Sequence, residues 1–190
     1  ITLTITSGNC SDVDTQCVKI LPILPAPDFT VDTNVGCYPL TVQFTNLSQG
    51  AIETYIWKFG DGGTSGLKDP SHTYLDGGTW NVTLTTCEFT FYDTCITVQK
   101  ATITVNKPFA SFDVSPRTIS FGKPVCPKNQ SSANMQSYAW DFRDGFTDIT
   151  PDYEAPCHTY ADVGCYDIQL IVTSLIGCRD TAIITACVSQ

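Results

Sequence analysis

The hexapeptide WKFGDG at residues 57–62 returns as WDFRDG at residues 140–145. A longer match follows each copy, SHTYLDGGTWNVTL at 71–84 and CHTYADVGCYDIQL at 157–170. The first pair is offset by 83 positions (140 − 57) and the second by 86 (157 − 71), so the second unit carries three extra residues between its landmarks. Loops absorb such insertions at little cost, and FTDITPDYEAP is the expected place. A chain of 190 residues built on one unit used twice is expected to form two domains of ordinary size.

Each unit reads as β-structure. In TWNVTLTT, Trp80, Val82 and Leu84 alternate with Asn81, Thr83 and Thr85; in CYDIQLIVT, Tyr166, Ile168, Leu170 and Val172 do the same. This period of two is that of a half-buried strand. No segment offers a helical period, and enrichment in Thr, Val and Ile favours pleated structure. The expected fold class is all-β. The opening ITLTIT alternates likewise, and TLTITSGNCSDVDTQCVKI is similar to the end of a unit, QLIVTSLIGCRDTAIITACVS. Residues 1–22 are therefore expected to be the last hairpin of a preceding domain, followed by domains at 27–106 and 108–190 with proline-containing joints near 20–29 and 106–112. A strand-donation role for that opening is disfavoured, because the last unit runs through its own final strand, TAIITACVSQ.

Charge narrows the range of partners. Ten Lys and Arg against nineteen Asp and Glu give a net charge of −9, which repels a phosphate backbone, and no basic cluster interrupts it. No apolar run has the length of a membrane-spanning helix. Ten cysteines without a tight CxxC pair point to disulfides in an oxidising compartment, outside the cell, rather than to zinc. With no initiator Met or signal peptide, the sequence is expected to be a piece of a longer exported protein.

The ordered motifs W-x-F-x-D-G, H-T-Y and G-x-(W/Y)-x-(V/I)-x-L, present twice, resemble the PKD (polycystic kidney disease) domain. NVGCYPLTVQFTNLS and the GCRDT turn are similar, more narrowly, to PKD repeats of giant adhesin-like surface proteins of Bacteroidetes-type bacteria, a group that often uses type IX secretion. The resemblance implies tandem immunoglobulin-like β-sandwiches of about seven strands each. It makes Trp57, Phe59, Trp140 and Phe142 core anchors on a central strand, and Asp61, Gly62, Asp144 and Gly145 turn residues. The second unit departs from the pattern at Arg143, where the first has Gly60, and in FGKPVCPKNQ, where its B strand is expected to be distorted.

His72 and His158 occupy the same place in H-T-Y, beside Tyr74 and Tyr160, with no nucleophile motif nearby. They are expected to bond across a strand rather than to catalyse. Asp61, Asp141 and Asp144 are the only candidate ligands for a hard cation such as Ca²⁺, and they lack the dense carboxylate loop that such a site uses. No cofactor is expected, and no carboxylate pair of glycosidase type stands out. Phe89, Phe91 and Tyr92 form an aromatic hairpin tip suited either to stacking on a sugar or to packing on a neighbouring module. Asn9, Asn46, Asn81 and Asn129 begin N-x-S/T sequons, and Thr181 lies in a D-T-A acceptor pattern similar to that of Bacteroidetes O-glycosylation.

Hairpin symmetry suggests disulfide pairings. Cys165 and Cys187 are equidistant from a turn at residue 176, Cys87 and Cys95 flank the aromatic tip, and Cys126 on strand B is expected to meet Cys157 ahead of H-T-Y. Cys37, placed at the start of strand B, and Cys178, at the last turn of the second unit, lie at ends that an in-line tandem brings together. Cys10 and Cys17 are left to upstream partners. Together these features predict a non-catalytic structural or adhesive segment of a long extracellular protein or filament, its partners being neighbouring modules, a surface polysaccharide or a protein ligand. The rival expectation is an accessory carbohydrate-binding or spacer region of a secreted hydrolase.

Overall fold

A computed structural model describes the backbone of residues 2–7, 10–15, 24–89 and 94–190, and the side chains of the last two ranges. Strand is the regular secondary structure throughout, and no helix among these residues is long and apolar enough to cross a membrane. The opening forms an antiparallel hairpin of β1 (Thr2–Ser7) and β2 (Cys10–Thr15).

The first module comprises β3 (Phe29–Val31), β4 (Val35–Cys37), β5 (Leu40–Asn46), β6 (Thr54–Lys58), β7 (Thr64–Ser65), β8 (Ser71–Tyr74), β9 (Gly78–Glu88) and β10 (Thr94–Asn106). One sheet has the order β4-β10-β9-β6-β7 and the other β3-β5-β8. Alternating residues of both sheets close the core: Val42 and Phe44 from β5, Trp57 from β6, Val82 and Leu84 from β9, and Ile103 and Val105 from β10. Trp57 is fully buried and meets Phe29 edge-on at 5.0 Å, so one large side chain joins the two sheets.

The second module repeats the plan with β11 (Phe112–Asp113), β12 (Thr118–Ser120), β13 (Lys128–Asn129), β14 (Ser137–Asp141), β15 (Thr147–Thr150), β16 (Gly164–Thr173) and β17 (Arg179–Ser189). Its larger sheet has the order β12-β17-β16-β14-β15. The opposite layer is reduced to the β11–β13 pair and an isolated bridge between Val125 and His158. Pro124 and Pro127 explain this, since neither can donate to a ladder on either side of that bridge.

Three sequence expectations are corrected here. Cys37 ends β4 and does not start strand B, which begins at Leu40 after Pro39 interrupts the chain's donors. Cys126 lies outside any strand, next to the Val125 bridge. The segment FTDITPDYEAP is not all loop, because Thr147–Thr150 extends the hairpin by pairing with Tyr138–Asp141 before Pro151 ends it.

Candidate functional site

Two features stand out: a polar clasp repeated in each module, and the joint between the modules.

The clasp is built where the β6–β7 turn passes β8. Gly62 takes φ +98° and Gly145 +99°, the left-handed conformation that a tight turn demands of glycine. Asp61 accepts the Gly63 amide through Oδ1 at 2.9 Å, and its Oδ2 accepts from Nε2 of His72 at 2.7 Å. The His72 ring lies parallel to Phe59 at 4.2 Å and edge-on to Tyr74, whose hydroxyl donates to the Phe59 carbonyl at 3.1 Å. One turn, one strand and one core aromatic are thus fixed to one another.

The second module rebuilds this with a substitution. Asp144 accepts the Phe146 amide and the Nε2 proton of His158, the latter at 2.6 Å, and Tyr160 donates to the Phe142 carbonyl. Phe146, which stands where the first module has Gly63, stacks on His158 at 4.6 Å, a place that Phe59 takes over His72. A side chain at position 63 would bring a Cβ within 2.5 Å of the His72 ring, so the first module has no room for the partner that Phe146 provides in the second. Arg143 takes the left-handed conformation of Gly60 at φ +63°, with its amide bonded to Asp141.

Burial alone would raise the carboxyls of Asp61 and Asp144, but the histidine bond and the backbone amides outweigh it and hold both below the usual carboxylate range. Burial, then the neighbouring carboxylate, pushes the Tyr74 and Tyr160 hydroxyls upward. Both histidines therefore serve as donors to structural carboxylates. Asp61 and Asp144 are committed to these bonds and Asp141 pairs with Arg143 at 3.2 Å. Among the described residues no group of three or more His, Cys, Asp and Glu side chains gathers where a metal ion could be held.

The joint is covalent twice over. The chain crosses it through Asn106, Lys107, Pro108 and Phe109, and a disulfide crosses it again between Cys37 and Cys178, whose Cα atoms are 5.3 Å apart. Each half is anchored. Cys37 is paired with Asn106 in the parallel β4–β10 ladder, and Cys178 is held in the β16–β17 turn, where its amide donates to Oγ of Ser174 and its carbonyl accepts from the Ser174 amide. Lys107 lies 4.4 Å over the Tyr38 ring and 3.0 Å from Asp76, while Asp180 accepts the Ala110 amide at 2.8 Å. A hollow of about 220 Å³ opens beside the disulfide, lined by Tyr38, Lys107, Phe109, Arg179 and Asp180 among others.

Three further disulfides lie within modules: Cys87–Cys95 and Cys165–Cys187 across the β9–β10 and β16–β17 hairpins, and Cys126–Cys157 beside the Val125–His158 bridge. Cys10 and Cys17 lie outside the described side chains, as do Asn9, Phe91 and Tyr92. Phe89 is exposed at the end of β9. Asn46 is half-buried and Asn81 exposed, each with its side-chain oxygen already bonded, and Thr181 is exposed on β17. Asn129 is a correction: it is buried, and its amide nitrogen donates to the Tyr153 carbonyl, which closes it to a glycan in the folded chain.

The Asp–His pairing went unread in the sequence although its signal was present. Both partners recur together, and their spacings of 11 and 14 residues differ by the same three-residue insertion that separates the two repeat offsets. Phe146 left no such signal, since it matches a glycine in the other copy.

Fold and clasp define a pair of immunoglobulin-like β-sandwich modules in tandem. The family model described as PKD domain matches residues 24–105 and again 106–188, and the chain belongs to that family. Polycystin-1 of Homo sapiens is 25% identical over 186 residues, covering 84% of this chain; this chain spans 4% of that protein. Among solved structures, the PKD1 domain of Vibrio anguillarum Epp is 26% identical with a TM-score of 0.39, covering 46% of this chain and all of that domain. The PKD1 domain from Vibrio cholerae metalloprotease PrtV is 34% identical with a TM-score of 0.37, covering 44% of this chain and 98% of that one. The matching family is not a catalytic one, and PKD modules with disulfides point to extracellular proteins.

Proposed function

We propose that this chain is a non-catalytic, load-bearing segment of a long extracellular surface protein or filament, with residues 1–22 belonging to a preceding repeat. The observation that carries this reading is the Cys37–Cys178 disulfide. A single peptide linker leaves two modules free to bend and twist about it; a second covalent tether removes most of that freedom. A device that only stiffens fits a stalk or fibre better than it fits an enzyme. Small-angle scattering and electron microscopy of the oxidised chain test it against the Cys37→Ser/Cys178→Ser variant. One fixed elongated shape that turns into a broad distribution of bend angles in the variant is the expected result. Equal distributions for the two would overturn the reading.

A second function is supported by the joint hollow itself. Tyr38 and Phe109 are exposed aromatics beside Arg179 and Asp180, a combination suited to a sugar ring with its hydroxyls, as in an accessory carbohydrate-binding region of a secreted hydrolase. Retention on a panel of insoluble polysaccharides, lost on Phe109→Ala, would favour it. Passage of the native chain through every matrix would dismiss it.

A further inference from the structure

The two modules end on equivalent strands whose outer edges differ. In the first, β4 covers β10 only over Thr104–Asn106. Further back, the β10 ladder shifts register between Gln99 and Ala101, and Lys100, at the shift, forms an ion pair with Asp28. A bulge and a lysine are two devices that make a strand edge unfit for a new partner. The first module has both.

The second module has neither. β12 covers β17 only over Cys187–Ser189, and the pairing of β17 with β16 runs unbroken from Arg179 to Val188. The uncovered stretch TAIITA, residues 181–186, contains no charge, proline or glycine. The amide of Cys187 donates to the Arg117 carbonyl on the β12 side. By the two-residue period of a strand, the N–H and C=O groups of Thr181, Ile183 and Thr185 face the same way, onto the open edge. All three side chains are exposed, Ile183 to 56%. The other end of this sheet is a poorer edge, because β15 has four residues, carries Asp148 and stops at Pro151.

We infer that the Thr181–Thr185 edge of β17 pairs antiparallel with the same edge of a second copy of this chain, centred on Ile183. The pattern is self-complementary. In that register Ile183 faces Ile183 of the second copy, and Thr181 faces Thr185, so each of these pairs exchanges two backbone hydrogen bonds, with Ala182 facing Ile184 as the non-hydrogen-bonded pair between them. On the exposed face every facing pair is β-branched and uncharged, the combination that cross-strand packing favours, and the contact is a closed two-fold one. It gives the load-bearing segment a lateral partner through the second module alone, since the bulge and Lys100 bar the first. The contact is small, so the association is weak in solution and gains strength where several copies lie side by side.

Sedimentation equilibrium of the unglycosylated 190-residue chain, from about 10 μM to 1 mM, is the test, with Ile183→Lys as the variant that places a charge on the edge. The parent is expected to dimerise and the variant to do so at least ~10-fold more weakly, with unchanged circular dichroism. Ile183→Cys supplies a second readout that does not depend on the lysine variant folding. Mild oxidation is expected to cross-link it as a symmetric dimer, and Asp148→Cys on the opposite edge is not expected to cross-link. A parent monomeric throughout, a dimer indifferent to Ile183→Lys, or Ile183→Cys cross-linking no faster than Asp148→Cys would each overturn the pairing.

Discussion

Cys178, in the last turn of the second module, is bonded to Cys37, at the end of a parallel strand pair in the first, across a sequence separation of 141 residues. Closing so long a loop restricts the unfolded chain more than closing a hairpin does. By the loop-length relation this bond stabilises the folded pair by about 5 kcal/mol, and Cys87–Cys95, with a separation of 8, by about 2.5 kcal/mol. Denaturant unfolding of Cys37→Ser/Cys178→Ser and of Cys87→Ser/Cys95→Ser is expected to show that order of loss. The reverse order would mean that the unfolded chain is compact enough to make loop length irrelevant.

The two core tryptophans, equivalent in sequence, differ in one bond. Nε1 of Trp57 donates to the Leu67 carbonyl at 2.9 Å, whereas Nε1 of Trp140 is buried without a partner. Trp57→Phe is expected to cost its module about 1 kcal/mol more than Trp140→Phe costs the other, because the second change removes an unsatisfied donor. Amide hydrogen exchange, which resolves the two modules, measures both losses in one chain.

Asp61 and Asp144 give the fold an acid limit. Their folded-state pKa lies below the unfolded value, so the stabilisation is complete above about pH 4 and is lost as the pH falls through the folded value. Asp61→Asn is expected to lower stability by about 1.5 kcal/mol at pH 7 and to converge with the parent near pH 2. Urea titrations across that range check it, and a loss independent of pH would assign the effect to packing.

Gly60 and Gly145 share a left-handed backbone, but not their surroundings. A Cβ at Gly60 would lie 2.7 Å from the Asn81 carbonyl oxygen, whereas one at Gly145 meets nothing within 4 Å. Gly60→Ala is therefore expected to destabilise by about 2–3 kcal/mol and Gly145→Ala by about 1 kcal/mol. Thermal unfolding of the two variants separates the clash from the strain they have in common.

The fold class was legible because period-two alternation over β9 and β16 reports directly which residues face the core, and Val82, Leu84, Ile168, Leu170 and Val172 are all buried. Landmarks present twice gave the order of motifs without any reference to space. What escaped was tertiary. The Asp61–His72 bond joins a turn to a different strand, and nothing in local alternation states that those two pass within 3 Å. The B strand of the second module was foreseen as irregular from FGKPVCPKNQ, but its reduction to one bridge and two residues depends on where Pro124 and Pro127 fall against a ladder that sequence does not display. The open edge of β17 is likewise a fact about its neighbours: TAIITA reads as a strand, and only the short reach of β12 leaves it uncovered.

The Cys37–Cys178 bond also decides how tension travels. A pull applied to the two ends of this chain enters through β4, crosses the sulfur bridge and leaves through β17, so residues 38–177 lie inside a closed loop. Unfolding inside that loop adds nothing to the distance between the ends. At roughly 3.5 Å per residue, about 490 Å of contour length is withheld until this bond and the three within the modules are reduced. In an oxidising medium the pair is inextensible over most of its sequence, and its reserve of slack is set by redox chemistry rather than by force.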